Sequence, residues 1–138
     1  MKWTKIRWDD AMLAAAKRGL VKAGMIVEGQ AARLCPVGIY PRGSGRVGGR
    51  LKGSITFATA SERSNPKGIA KTDDGVSKPS DDYTLYVGTN VEYAPYPEYG
   101  TIRMQAQSYL RPALDITKPM LDIAYAQEIS KELKTRAQ

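Results

Sequence analysis

The stretch Val87-Gly88-Thr89-Asn90-Val91-Glu92-Tyr93-Ala94-Pro95-Tyr96-Pro97-Glu98-Tyr99-Gly100-Thr101, followed by Tyr109-Leu110-Arg111-Pro112-Ala113-Leu114-Asp115, decides how the chain is read. Leading into it, Tyr83, Leu85 and Val87 alternate with Thr84 and Tyr86, the two-residue period of a strand. Within it, Pro95 and Pro97 forbid a regular ladder, so residues 90–100 read as an irregular turn with a short helical piece. Beyond it, Leu110 opens a helix with Pro112 in the first turn, where a missing N–H costs little. A strand and a helix are thus joined by a tyrosine-rich connector without a reactive group.

Two roles are open for that connector. As a latch, Tyr93 and Tyr99 seal the sheet edge, Glu98 caps backbone amides or pairs with Arg111, and Gly100 takes a positive φ. As a subunit contact, Tyr93, Tyr96 and Tyr99 offer apolar area with a polar tip, the kind of anchor enriched at interfaces.

Working outward toward the N-terminus, residues 9–34 read as one long helix. Asp9 is the expected N-cap and Trp8 is placed to staple onto Leu13. Leu13, Leu20, Val27 and Leu34 recur every seven residues with Ala16 and Ala23 between them, one apolar stripe. Gly19, Gly24 and Gly29 each cost a helix interior roughly 1 kcal/mol against Ala. With Ala14, Ala15, Ala31 and Ala32 they make a thin helix for close packing, against its own sheet or against a neighbouring subunit. Cys35-Pro36 ends it, because the residue before a proline avoids the helical region.

Residues 36–50 form a glycine-rich flexible loop, and residues 51–60, with Ile55, Phe57 and Thr59 alternating against Thr56 and Ala58, read as a strand. Residues 61–82 are polar and read as a long loop or hairpin tip. Antiparallel pairing of 51–60 with 83–89 gives the simplest sheet. From Leu110 to Gln138 the chain is helical in character, with Pro119 a kink or the start of a second segment. Ile123, Ala126, Ile129 and Leu133 supply its expected apolar stripe. The expected fold is one α+β domain over residues 1–138: a long N-terminal helix, a small mainly antiparallel sheet with a long loop or hairpin, and a C-terminal helix.

Composition narrows the function classes. Hydrophobic residues make up 42% and charged residues 25%, which suits a folded globular chain rather than a disordered one. The net charge of +7 is concentrated early. Residues 1–60 carry 11 basic and 3 acidic side chains, and no acid stands between Glu28 and Glu62. Arg42, Arg46, Arg50 and Lys52 therefore form a basic stretch suited to facing phosphate, or simply a solvated loop.

Catalysis finds little support. The chain has no His and a single Cys35, so the commonest general base is missing, and no set has metal-ligand spacing. Glu92 and Glu98 are the best carboxylate pair, six positions apart in a turn that does not force them together. Asp73-Asp74 and Asp81-Asp82 lack the spacing of a calcium loop. Gly43-Ser44-Gly45-Arg46-Val47-Gly48 lacks the Gly-Lys-Ser/Thr ending of a phosphate-binding loop. No enzyme activity, cofactor or metal is expected. No apolar run approaches the ~18 residues of a membrane span, and no signal-peptide core follows Met1.

Four words in order carry a resemblance. Ala32-Arg33 leads to Pro36-Val37. Ser44-Gly45 precedes Leu51-Lys52-Gly53-Ser54-Ile55. Val87-Gly88-Thr89 precedes Tyr93-Ala94-Pro95-Tyr96-Pro97-Glu98-Tyr99-Gly100-Thr101, and Leu110-Arg111-Pro112-Ala113-Leu114 closes the set. Together they resemble the head–tail joining (neck, or tail-completion) proteins of long-tailed double-stranded DNA phages. The chain departs from that pattern in its expanded loop from Gly38 to Arg50 and in Ser108, where a proline is commoner.

The resemblance implies a non-enzymatic structural protein, made in the host cytoplasm and placed in the virion at the head–tail junction. It implies a homo-oligomeric ring around the DNA channel that contacts head-closure and tail-terminator proteins. In such a ring Arg42, Arg46, Arg50 and Lys52 are the candidate lumen or DNA-facing residues. Tyr93, Tyr96, Glu98, Tyr99, Gly100 and Arg111 are the candidate latch or subunit contacts. The alternative is a small nonspecific DNA-binding protein, since spaced arginines track a phosphate backbone without base readout.

Overall fold

The computed structural model describes residues 10–37, 48–100, 102 and 105–137. The expected cap and staple at Asp9 and Trp8 lie outside the described residues, as do most of the glycine-rich loop and, within it, Arg42 and Arg46.

The chain folds as α+β. Helix α1 spans Asp10–Leu34 and helix α4 spans Leu110–Ala137. Between them lie a short helix α2 (Arg50–Ser54), strand β1 (Thr56–Ala58), a 3-10 turn (Thr72–Asp74), strand β2 (Tyr86–Gly88) and helix α3 (Pro95–Tyr99). α1 and α4 pack antiparallel: Gly19 meets Tyr125, while Ala31 shares a buried cluster with Ala113.

Helix α1 buries its smallest residues rather than its leucines. Met12, Ala16, Gly19, Ala23, Val27 and Ala31 form the covered line, whereas Leu13 and Leu20 are half-buried and Leu34 is exposed. Of the expected stripe, Ala16, Ala23 and Val27 are covered while the leucines are not, and the reason is steric. A Cβ on Gly19 would stand 2.8 Å from Tyr125 Cδ2, and one on Gly24 would stand 2.7 Å from Phe57 Cγ. Two of the three glycines are therefore consumed by close packing inside the chain, against α4 and β1. Gly29 has nothing within 4 Å of its Cβ position.

The sheet pairs β1 with β2 antiparallel, placing Thr56 opposite Gly88, Phe57 opposite Val87 and Ala58 opposite Tyr86. The pairing matches the sequence expectation, but both strands are shorter. Residues 51–54, expected as strand, turn instead as α2: Gly49 at its start takes φ 104, and Ser54 Oγ donates to the Leu51 carbonyl at 2.6 Å. Asp81 Oδ1 accepts the Tyr83 amide at 2.8 Å in a turn at 82–83, residues 84 and 85 follow outside the ladder, and β2 starts at Tyr86.

The polar segment 61–82 is pinned to the sheet. The Glu62 amide donates to Thr59 Oγ1 at 3.0 Å, closing a tight turn that returns the Ser64 amide to the Phe57 carbonyl at 3.0 Å. Farther on, the Val76 amide donates to Thr56 Oγ1 at 2.8 Å, and Gly75 bridges Thr89. These bonds satisfy backbone groups that a two-stranded sheet would otherwise leave open.

Helix α4 is continuous through Pro119. Its buried face is Ala113, Thr117, Ala124 and Glu128, with Leu110 and Leu121 half-buried beside it. The expected stripe of Ile123, Ala126, Ile129 and Leu133 is wrong by a rotation: Ile123 is 59% exposed and Leu133 40%, with Ala126 exposed and Ile129 half-buried. Thr117 and Glu128 displace the isoleucines from the core because their polar ends are satisfied there. Thr117 Oγ1 donates to the Ala113 carbonyl at 2.7 Å, and Glu128 is held by cations of α1.

Candidate functional site

The tyrosine-rich connector divides into an inner and an outer half. On the inner side, α3 aims the Glu98 carboxylate at the start of α4. Its Oε2 accepts the Tyr109 amide at 2.8 Å and the Leu110 amide at 3.0 Å, and its Oε1 accepts the Arg111 amide at 3.1 Å. A helix leaves its first amides without intrahelical partners, and here a carboxylate from another element supplies them. Burial by itself pushes the Glu98 pKa up, but the three amides prevail and hold it below its ordinary value. The Gln107 amide donates to the Pro97 carbonyl (2.7 Å) and the Ser108 hydroxyl to the Glu98 carbonyl (2.7 Å), which tightens the same junction. Ser108, the departure from the family word, thus donates a bond that a proline at this position has no group to make.

Tyr109 is fully buried and donates from its hydroxyl to the Ala94 carbonyl at 3.1 Å. Gly100 ends α3 with φ 78, a left-handed conformation suited to glycine. Tyr93 packs partly buried against the core cluster of Leu51, Ile55, Val91 and Tyr109. Glu98 and Tyr109 thus tie the connector to the start of α4. The expected side-chain pairing of Arg111 with Glu98 is replaced by the backbone amide of Arg111, and among the described residues no salt bridge joins the two. On the outer side, Tyr96 is 56% and Tyr99 79% exposed, so neither seals the sheet.

The basic stretch is only partly described. Lys52 is exposed. Arg50 is committed inside the chain: its Nε donates to Asp74 Oδ2 at 3.0 Å and its Nη2 to Asp74 Oδ1 at 2.9 Å. Its Nη1 lies 3.8 Å from Glu92 and its guanidinium 5.9 Å from the centre of the Tyr93 ring. The two-pronged pair fixes the 3-10 turn against α2. The Arg50 hydrogen bonds, helped by the Lys71 amide, hold the Asp74 pKa down at about 2. Nothing in the sequence marked Asp74 as the partner, because the two lie 24 positions apart across a loop.

A second charged group was invisible to sequence reading. Glu128, on the buried face of α4, contacts Lys22, Arg18 (3.2 Å) and Lys131 (3.4 Å). Hydrogen bonding from Lys22 leads the causes that hold its pKa at about 2.

Two apolar grooves flank α4. One lies between α1 and α4 and is lined by Met25, Gly29, Arg33, Met120, Ile123 and Gln127. The other lies against β2 and α3 and is lined by Leu85, Tyr86, Tyr99, Arg111, Leu114 and Leu121. At ~100° per residue, Met120 and Ile123 fall on one side of the buried line of α4 and Leu114 and Leu121 on the other. Met25, Leu114, Met120 and Ile123 are all about half exposed or more.

Chemically reactive arrangements are few among the described residues. Burial pushes the Cys35 thiol up to about 11, so it stays protonated and weakly nucleophilic at neutral pH. Glu98 spends both oxygens on amides, while Glu92 is exposed beside Arg50, so the two do not form an acid–base pair. No group of three metal-ligating side chains occurs among the described residues, and no described helix is long and apolar enough to cross a membrane.

Residues 8–100 fit the HK97-gp10-like family, described as "Bacteriophage HK97-gp10, putative tail-component". The matched span runs from the start of α1 to Gly100, so the Glu98 carboxylate ties the matched part to α4 beyond it. No curated protein and no solved structure matches the chain.

Proposed function

Because the chain belongs to the HK97-gp10-like family of phage tail components, and so is a structural protein of a phage virion, we propose that it joins head and tail as a non-enzymatic ring subunit around the DNA channel, in a neck or tail-completion position. The observation that carries this reading is the pair of unlike apolar grooves on either side of α4. A twofold dimer needs one self-complementary patch, whereas a ring needs two different patches that meet in the next copy. Groove-lining Met and Tyr side chains are of the types enriched in such contacts.

In this arrangement the groove of Met25, Met120 and Ile123 faces the groove of Leu114, Leu121 and Tyr99 in the neighbouring copy. The exposed Tyr96 lies on the rim. Head-closure and tail-terminator proteins cover the two ends of the ring. Arg42, Arg46 and Lys52 are proposed to face the lumen or the DNA, with Arg50 acting through Asp74 to hold the base of their loop. A small nonspecific DNA-binding protein is the second reading; within the basic stretch, Arg50 is bound to Asp74 and its part there is to hold the loop.

The test is assembly. Native mass spectrometry and negative-stain microscopy of the purified chain, across concentration, are expected to reveal a closed oligomer. Antibody labelling of purified phage is expected to mark the head–tail junction. A chain that stays monomeric at every concentration and is absent from the virion neck overturns the reading.

A further inference from the structure

We propose that the cationic cluster of Arg18, Lys22 and Lys131 gathered on Glu128, extended by Lys134, is a sequence-independent binding surface for the phosphates of duplex DNA. The proposal goes beyond ring assembly and concerns a different part of the chain from the 42–52 loop. Lys22 lies twelve residues before the end of α1, about 18 Å along its axis.

The geometry has three parts. The first is surplus charge. Arg18, Lys22, Lys131 and Lys134 are four cations, and the acids beside them on α4 are Glu128 and Glu132. The second is direction. The Glu128 side chain is only 6% exposed, whereas those of Arg18, Lys22 and Lys131 are 53%, 43% and 66% exposed. The buried carboxylate gathers three long cations whose side chains are about half exposed, so the group presents positive charge at the surface.

The third is preorganisation. Long side chains lose rotamer freedom when they converge on an anion, and here Glu128 has already converged them. A phosphate backbone, with one charge per ~1.7 Å of duplex, is the polyanion such a surface fits. The cluster sits on the outer side of two packed helices. It contacts backbone rather than base edges, so it binds without sequence preference.

Fluorescence anisotropy of the isolated full chain with a labelled mixed-sequence duplex, from 50 to 200 mM salt, tests this independently of assembly. Binding is expected to weaken with a log–log salt slope of about −3, the value for three to four phosphate contacts. Lys131→Gln with Lys134→Gln, both at exposed positions, is expected to weaken binding about tenfold and to reduce the slope by about 1–2. Glu128→Gln removes the competing carboxylate and is expected to tighten binding, with circular dichroism confirming the fold. If Glu128→Gln unfolds the chain, the double lysine variant alone decides.

Absence of binding overturns the proposal, as does binding untouched by the lysine variants. Loss of binding only with Arg42→Gln, Arg46→Gln and Lys52→Gln moves the DNA contact to the loop and also overturns it. Displacement of the duplex by poly-L-glutamate at equal charge assigns the surface to an acidic protein instead.

Discussion

The carboxylate of Glu98 accepts the backbone amide of Tyr109 at 2.8 Å, eleven positions along the chain, and so caps a helix to which it does not belong. Ordinary N-caps come from the residue at the helix start. Here the cap is supplied by α3, so one side chain links the entry of α4 to the position of the connector, together with the bonds of Gln107, Ser108 and Tyr109. Glu98→Ala leaves the amides of Tyr109, Leu110 and Arg111 without it, and is expected to cost about 2–3 kcal/mol. Urea unfolding at constant m measures that loss. Arg111→Ala keeps its backbone amide and is expected to change stability by less than about 0.5 kcal/mol. A large loss there, equal to that of Glu98→Ala, contradicts a link made through the backbone.

How much of this was legible beforehand differs by element. The strand at 86–88, the helical piece at 95–99 and the positive φ of Gly100 follow from local rules: alternation, proline placement, glycine freedom. That the amides Glu98 caps are those of Tyr109, Leu110 and Arg111 does not, because they belong to another helix. What misled was helix rotation. Periodicity marked Ala16, Ala23 and Val27 on α1, which are buried, but also Leu13, Leu20 and Leu34, whose places on the buried line are taken by glycine and alanine. On α4 it marked Ile123 and Leu133, whereas Thr117 and Glu128 sit on the buried line. Hydrophobicity counts the size of a side chain, whereas a close helix crossing selects for its absence. The ion pairs of Asp74 and Glu128 were equally hidden, since their partners lie in other elements.

Acid sensitivity follows from those same carboxylates. Asp74 and Glu128 have folded-state pKa values of about 2, each below the ordinary value for its type, and Glu98 is also lowered. A group whose pKa falls on folding stabilises the fold above its unfolded pKa and ceases to do so as pH falls through the folded one. Stability is therefore expected to be level from neutral pH to about 5 and to drop between about 4.5 and 2. Asp74→Asn is expected to be less stable at pH 7 and to flatten part of that drop. The midpoint of urea unfolding against pH, for both proteins, checks it; parallel curves for the two proteins would exclude Asp74 as a contributor.

The two glycine environments of α1 predict opposite signs for one substitution. Gly24→Ala places a Cβ 2.7 Å from Phe57 Cγ and 2.9 Å from Phe57 Cβ, atoms that the backbone of β1 holds in place. Its expected cost is about 1–3 kcal/mol. Gly29→Ala meets nothing within 4 Å and gains helix propensity of up to about 1 kcal/mol. Thermal unfolding of both variants is the measurement, and a stabilised Gly24→Ala would contradict the packing of Phe57 against α1.

The unlike grooves lead to a mixing experiment that distinguishes a ring from a twofold dimer. Ile123→Asp places a charge in the groove shared by α1 and α4, and Leu114→Asp places one in the groove beside β2 and α3. Both side chains are largely exposed, 59% and 48%, so the fold is expected to survive, with near-unchanged circular dichroism. If each copy presents one groove to the opposite groove of the next, either variant alone blocks every contact and runs as a monomer. Mixed together, the two variants retain one intact pair of faces, the Leu114 groove of the first against the Ile123 groove of the second. The mixture is then expected to stop at a heterodimer and never to close. A self-complementary patch gives a different pattern: one variant still dimerises alone, and mixing adds nothing. Sedimentation velocity on the two variants and their equimolar mixture reads the difference directly.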